Sequence, residues 1–445
     1  MESINQILSS ASSWAWGPAM LTLLLGTGVY LTIRLRFLPL RNLFYAFSLL
    51  WKERHSKQEG DISPFSALMT AMSATVGTGN IAGVAAAIFI GGPGAIFWMW
   101  ITALVGMATK YSEAVLAVKY REVDDEGRHV GGPMYYIKNG MGEKWKPMAF
   151  AFALFGTIAA FGIGNMVQAN AVAGAMETAF GFNNQYTGIV LMVLVGLVLF
   201  GGIQRIAKTA TALVPLMAVL YIGFSFYILG IHYDQLPNAL MTIVESAFTG
   251  SAAAGGFAGA SIILAIQFGV ARGVFSNEAG MGTAPIAHAA AKTNDPIHQG
   301  HIAMLGTFID TIILCTMTAL VIMVTGVWQS GETGSPLTAL AFSTGLDSDF
   351  GSVVVAIGLA IFAFTTLIGW SYYGERCAEY LAGTKVITPY RMLWVLAVFA
   401  GAALSNYFNT VLILADVLNA LMAVPNLIAL LVLSPIIIKL SQEQK

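Results

Sequence analysis

Ala74-Thr75-Val76-Gly77-Thr78-Gly79-Asn80 interrupts a stretch, residues 62–109, that holds no Asp, Glu, Lys or Arg. A second polar break, Gly269-Val270-Ala271-Arg272-Gly273-Val274-Phe275-Ser276-Asn277-Glu278-Ala279-Gly280, interrupts an apolar stretch in the other half of the chain. Hydrocarbon offers nothing to the N–H and C=O groups that a broken helix frees. A break therefore survives at membrane depth only where it is buried in protein or lines a cavity.

The chain is 57% hydrophobic and 10% charged over 445 residues, with a mean hydropathy of +0.73. Water-soluble domains carry about 25% charged residues, so the solvent of this chain is lipid. Charge-free runs cover 11–33, 62–109, 147–176, 178–204, 246–271, 350–374, 392–415 and 417–438. Each exceeds the roughly 20 residues that cross a hydrocarbon core. The 62–109 run accommodates two crossings hinged at Gly91-Gly92-Pro93-Gly94. The expected fold is an all-α polytopic membrane protein, a single transmembrane domain over residues 1–445. Its eleven spans lie near 14–34, 64–90, 93–119, 147–178, 185–204, 208–230, 255–290, 299–328, 350–381, 388–406 and 410–437. The polar stretches 51–62 and 121–146 read as solvated loops.

Charge placement sets an orientation. With the N-terminus outside, Arg34, Arg36, Arg41, Lys52, Arg54 and Lys57 fall inside, as do Lys119, Arg121, Arg128, Lys138, Lys144 and Lys146. Arg205, Lys208, Lys385, Arg391, Lys439 and Lys445 follow them, whereas the long outer segments 231–254 and 329–349 hold no Lys or Arg. This is the positive-inside distribution, with the C-terminus cytoplasmic at a plasma membrane. The start, Met1-Glu2-Ser3-Ile4-Asn5, lacks a basic n-region, so the first span is expected to be retained. No Asn-x-Ser/Thr acceptor occurs, which points to a prokaryotic source. Cys315 and Cys377 lie in apolar spans and suggest no disulfide framework. The histidines show no metal-ligand spacing, and nothing indicates an organic cofactor or a nucleic-acid partner.

The first break lies in span 2 and the second in span 7. Spans 2–6 (62–231) and 7–11 (250–438) then form two five-span units of opposite orientation, and span 1 (14–34) stands outside them. Discontinuous helices in corresponding positions of an inverted repeat point to the binding site of a secondary transporter. A channel would show repeated polar pore rings. An intramembrane enzyme would need a nucleophile–base or metal set, and no such grouping lies within the spans. An ATP-driven pump would need Gly-x-x-x-x-Gly-Lys-Ser/Thr, which is absent.

Gly91-Gly92-Pro93-Gly94-Ala95-Ile96-Phe97-Trp98-Met99-Trp100-Ile101-Thr102-Ala103-Leu104-Val105-Gly106 resembles the signature of the alanine or glycine:cation symporter family (sodium:alanine symporters). Ala108-Thr109-Lys110-Tyr111-Ser112-Glu113, Gly131-Gly132-Pro133-Met134-Tyr135-Tyr136 and Gly273-Val274-Phe275-Ser276-Asn277-Glu278-Ala279-Gly280-Met281-Gly282 are similar to that family too. The resemblance implies the leucine-transporter fold and uptake of alanine or glycine with Na⁺ or, in some members, H⁺.

An amino-acid zwitterion needs two opposite partners close together. A half-helix N-terminus presents free N–H groups and a positive dipole end, which suit a carboxylate. Glycines let a ligand approach the backbone. The expected carboxylate site is the stretch Thr75, Gly77, Thr78, Gly79 and Asn80, with its N–H groups at 77–80. Packing of Gly77 and Gly79 against another helix is the alternative. At the second break, Gly273, Val274, Phe275 and Ser276 are expected to offer carbonyls to the ammonium and, through Phe275, a wall. In span 4, Asn165 and Gln168 share a helix face, and the Gln168 amide, donor and acceptor in one, is a further substrate contact. Arg272 near mid-membrane needs a partner, for which Glu278 and Asp310 are candidates.

Thr365 and Thr366 in span 9 make a hard, oxygen-only environment, unless their hydroxyls bond back to their own helix. The resemblance implies a sodium site between the first repeat helix and the eighth. Its ligands would be carbonyls of Ser73, Val76 and Phe362 and hydroxyls of Thr365 and Thr366. Trp370, one turn beyond Thr366, would cap the pocket and keep it small. Asp310 and Asp416, deep in spans 8 and 11, are suspects for proton relay if the coupling ion is H⁺. Lys110 and Glu113, one turn apart, read as a structural pair.

Overall fold

The computed structural model describes residues 2–249, 262–403 and 408–443. The start of the expected seventh span, 255–261, lies outside the described residues. In chain order the helices are α1 (Glu2–Ala15), α2 (Pro18–Arg34), α3 (Leu43–Lys52), α4 (Pro64–Thr75), α5 (Gly79–Gly91) and α6 (Gly94–Lys119). A small antiparallel hairpin follows, β1 (Glu122–Val123) and β2 (His129–Val130). Then come α7 (Glu143–Phe180), α8 (Asn184–Leu199), α9 (Gly202–Ile231), α10 (Leu236–Thr249), α11 (Ile262–Asn277), α12 (Ala284–Ala289) and α13 (Pro296–Val324). The chain closes with α14 (Gly334–Leu346), α15 (Phe350–Ala382), α16 (Ile387–Ala403) and α17 (Phe408–Glu443).

Among the described residues, eight helices are long and apolar enough to cross a membrane, and the α4–α5 pair, bent by 54°, makes a ninth. The shorter apolar helices α8 and α11 stand where spans 5 and 7 are expected. The two long outer segments, expected as loops, instead contain the helices α10 and α14. Both pack: α10 against α6, and α14 against α15.

Lipid is the solvent of the outer faces. Val219 on α9 is 69% exposed, Leu197 on α8 61% and Leu396 on α16 61%. Polar residues point the other way, into the bundle, because desolvated polar groups need partners that only protein can supply there. The core helix is α6, buried along nearly its whole length and packed by α2, α11 and α13.

Local sequence explains the two discontinuous elements. Ser63 caps α4 by accepting from Ser66 N at 3.1 Å, with Pro64 at the first helical position. The helix ends where Val76 turns extended, at φ −78 and ψ 99. In the second half of the chain α11 runs without interruption to Asn277. The chain then turns through Glu278 (φ 54), Gly280 (φ 90) and Gly282 (φ 79) before α12 begins.

The 121–146 stretch is less open than a solvated loop. Asp124 holds Arg128 Nε at 2.7 Å, and the buried Arg376 on α15 pairs with Glu375 and Glu379 at 2.5 Å each. Arg376 Nη1 also lies 3.6 Å from Asp124. Asp61, just before α4, accepts from the backbone N–H of His129 at 2.9 Å. The hairpin thus ties the entry of the first broken span to α15.

Candidate functional site at the helix breaks

Val76, Gly77 and Thr78 separate α4 from α5. Gly77 N donates to Asn80 Oδ1 at 2.9 Å, and Asn80 N to Gly77 O at 3.3 Å. In an uninterrupted helix Gly77 N would serve the carbonyl of Ser73. Its diversion to Asn80 releases the Ser73 carbonyl from the helix. Of the four N–H groups expected to receive a carboxylate, those of Gly77 and Asn80 are thus taken internally. Those of Thr78 and Gly79 head the open N-terminus of α5. Thr75 is back-bonded to Met72 O at 3.2 Å and remains part of α4.

α15 crosses directly behind this break. Gly369 makes the approach possible: a Cβ there would lie 2.6 Å from Ser73 Oγ and 2.7 Å from Ala74 N. Thr366 Oγ1 stands 3.3 Å from Val76 O and 3.0 Å from Phe362 O. Thr365 Oγ1 stands 2.8 Å from the same Phe362 carbonyl. The oxygens of Val76, Phe362, Thr365 and Thr366 therefore converge, with Ser73 one turn back on α4. The back-bonding alternative for the threonines is realised at the same time, since both donate to Phe362 O.

Gln168 reaches the break from α7. Its Nε2 donates to Thr78 Oγ1 at 3.2 Å and to Ile163 O at 3.1 Å. Its Oε1 is buried and has no hydrogen-bond partner among the described residues. A methyl group on Gly77 would come within 2.5 Å of Thr366 Oγ1 and 3.4 Å of Gln168 Oε1. Gly77, Gln168 and Thr366 thus face a common point. Asn165 does not join them: its Nδ2 donates to Trp394 O at 2.9 Å. A widened helical turn at Ala160–Met166 separates the two amides that regular spacing would align.

The second break lies later than expected. Gly273 and Val274 belong to α11, and the Val274 carbonyl accepts from Glu278 N at 2.7 Å, so neither offers a free carbonyl to a ligand. Gly273 serves packing, as a Cβ there would meet Thr102 at 3.3 Å. Phe275 and Ser276 do border the first break, 3.5 Å and 3.2 Å from a Cβ placed on Gly79. The actual break is held by charge. Glu113 Oε1 on α6 accepts from Gly280 N and Gly282 N at 3.1 Å each and from Asn426 Nδ2 at 2.7 Å. Lys110 Nζ donates to Glu278 O at 3.2 Å. Glu278 Oε1 receives Trp370 Nε1 at 2.9 Å, and its Oε2 receives Thr283 Oγ1 at 2.6 Å. Trp370 sits against Gly164, where any side chain would overlap it.

Asp310 joins the two broken spans. Asn80 Nδ2 donates to its Oδ1 at 2.7 Å, and Ser276 Oγ and Thr311 Oγ1 donate to its Oδ2 at 2.8 and 2.7 Å. Neither Glu278 nor Asp310 serves Arg272, contrary to expectation. Its guanidinium lies 5.6 Å from the centre of the Phe275 ring. Spacing did not reveal the roles of Glu113, Asn426 and Glu278, although a carboxylate within a buried Gly-rich turn was the available signal.

A cavity of about 360 Å³ opens between α7, α14 and α15. It is lined by Asn170 and Leu359, in the turns next to Gln168 and Phe362, and extends to Ser335 and Ser352.

A broken span whose freed backbone meets hydroxyls and an amide in a lipid-embedded bundle is the geometry of a carrier. The family model for the sodium:alanine symporter family matches residues 1–444. The chain belongs to that family. It is 51% identical over 439 residues to the sodium/alanine symporter AgcS of Methanococcus maripaludis, covering 97% of this chain and 95% of that one. It is 50% identical over 438 residues to an uncharacterized transporter of Haemophilus influenzae, covering 98% and 95%. Among solved structures, MhsT in complex with L-phenylalanine aligns with a TM-score of 0.53 at 12% identity, over 85% of this chain and 99% of that one. The fold is that of the leucine-transporter type. As a member of the sodium:alanine symporter family, the protein is a multi-pass, cation-coupled amino-acid symporter and not an enzyme.

Proposed function

We propose that the protein carries small neutral amino acids, alanine and glycine, into the cell with Na⁺ by alternating access. The observation that carries this reading is the convergence of Val76 O, Phe362 O, Thr365 Oγ1 and Thr366 Oγ1 beside a Ser73 carbonyl released from its helix. Carbonyl and hydroxyl oxygens without a full charge suit a monovalent cation that must bind and leave. The adjoining point between Gly77, Gln168 and Thr366 takes the amino acid. The N–H groups of Thr78 and Gly79 receive its carboxylate, and the free Gln168 Oε1 receives its ammonium. Phe275 and Trp370 close the sides. On this reading Trp370, seated against Gly164, restricts the pocket to small side chains. The 360 Å³ cavity is the outer approach, in the orientation with N-terminus outside and C-terminus cytoplasmic. Spans 2–6 and 7–11 act as the two inverted units.

Labelled alanine uptake into proteoliposomes tests this, with an inward Na⁺ gradient set against K⁺. Accumulation with Na⁺ alone is the expected result. A second reading, proton coupling, is favoured by Asp310, a buried acid bonded to both broken spans. Uptake driven by an imposed pH gradient and indifferent to Na⁺ would replace the first reading with the second.

A further inference from the structure

Between α2 and α4 the chain leaves the bundle and runs along one edge of it. Arg36 (φ 56) and Phe37 (φ 58) turn it through consecutive left-handed conformations. Such conformations are unfavourable for residues other than glycine and persist only where the surroundings impose them. The turn redirects the chain from the membrane-crossing α2 into α3.

α3 has three separate faces. Leu43, Ala46, Leu49 and Leu50 share one arc of the 3.6-residue helix and pack inward, with Ala46 and Leu49 fully buried. Phe44, Phe47 and Trp51 share a second arc that faces outward, Phe44 at 87% and Trp51 at 70% exposure, with Phe47 half-exposed and edge-on to Phe308. Ser48 and Lys52 occupy a third arc, also exposed. A helix with one face on protein, one aromatic and one polar fits the boundary between acyl chains and headgroups.

The charge of the segment completes the pattern. Residues 34–57 hold Arg34, Arg36, Arg41, Lys52, Arg54 and Lys57 against a single acid, Glu53. Glu53 is turned away onto His298 Nδ1 at 2.8 Å. Arg34, Arg36, Arg41, Lys52 and Lys57 are all exposed, and the Arg54 guanidinium lies 3.9 Å above the Trp51 ring. A shallow recess between the end of α2 and the end of α17 adds the side chains of Ser441 and Gln442 beside Arg34 and Arg36.

We propose that residues 34–57 seat the headgroups of anionic phospholipids. The arginines and lysines take the phosphates, and Phe44, Phe47 and Trp51 lie among the acyl chains below them. A zwitterionic headgroup presents the same phosphate but brings its own cation toward these side chains. The seat therefore discriminates by net charge.

The test counts lipids retained by the purified full-length protein in native mass spectra, after titration with phosphatidylglycerol or phosphatidylcholine of the same chain length. The wild type should retain phosphatidylglycerol several-fold more readily. The triple variant R36Q/R41Q/K52Q should lose that preference, and R36K/R41K/K52R, which keeps the charge, should preserve it. Equal retention of the two lipids by the wild type would overturn the proposal. So would an unchanged preference in the glutamine variant. A dimer that the glutamine variant dissociates, with lipid counts unaltered, would instead make this face a contact between two copies. The charge-conserving variant keeps the test decisive if the glutamine variant fails to fold.

Discussion

The two helix breaks of this molecule are built from opposite chemistry. The first, at Val76–Thr78, is lined by uncharged groups: Asn80, Gln168, Thr365 and Thr366. It leaves the Gln168 Oε1 acceptor unused and the Ser73 carbonyl released. The second, at Glu278–Thr283, is pinned by charge: Glu113 accepts from the freed N–H groups of Gly280 and Gly282, while Lys110 and Asn426 donate to the carbonyls of Glu278 and Gly280. A break with spare polar atoms can exchange a ligand for water cheaply. A break saturated by buried charge is costly to open, because a stranded ion in a dry interior is heavily penalised. On the proposed reading the first is therefore the ligand-facing break and the second its rigid support, with Asp310 bonded to Asn80 and Ser276 between them.

The sharpest way to break that contrast is Glu113→Ala. Removing one partner of a buried charged network costs about 3–5 kcal/mol, and three donors lose their acceptor. Thermal unfolding in detergent should fall steeply, and a wild-type melting temperature would refute the supporting role. Gln168→Ala should do the reverse, leaving the melting temperature near that of wild type. Hydrogen bonds to a charged group contribute about 1.5–3 kcal/mol, so alanine affinity should drop roughly ten- to a hundredfold by equilibrium binding. Unchanged affinity would make Gln168 a packing residue.

Thr366→Ala sharpens the comparison within the first break. The Na⁺ concentration for half-maximal uptake should rise by about tenfold if one neutral oxygen ligand is worth about 1 kcal/mol or slightly more. Sodium dependence identical to wild type would remove Thr366 from the cation site. A further test lies at the contact between the two regions. Trp370→Phe shrinks the aromatic side chain and deletes the bond to the Glu278 carboxylate, worth about 1.5–3 kcal/mol, so the melting temperature should fall, but by less than in Glu113→Ala. Trp370→Ala should in addition admit larger amino acids, and an unaltered substrate range in competition assays would place Trp370 outside the wall.

The first break was legible because its signals are local. Gly77 and Gly79 alternate with Thr78 and Asn80 inside a charge-free run, and the freed groups of α4 follow from where the helix stops. The second break was misplaced toward Gly273 because glycine carries two meanings. Gly273 provides close packing of α11 on α6, whereas Gly280 and Gly282 provide the left-handed turn. Likewise, Asn165 and Gln168 look like one face at regular helical spacing, and the widened turn at Ala160–Met166 sends them to different partners. The segments 231–254 and 329–349, expected as outer loops, contain the helices α10 and α14 because each finds a neighbour to pack on, which composition does not announce.

Sequence alone determined that this chain lives in lipid, is helical, and interrupts its helices for a purpose. Those properties are sums over composition and short-range pattern, since transfer energies and backbone satisfaction act residue by residue. Tertiary structure alone decided which freed backbone groups remain available. The acceptor for Gly280 and Gly282 is a carboxylate on α6, and the amide completing that cluster comes from Asn426 on α17. Hydrogen bonds between such distant residues depend on how helices meet in space, and no spacing along the chain encodes that meeting.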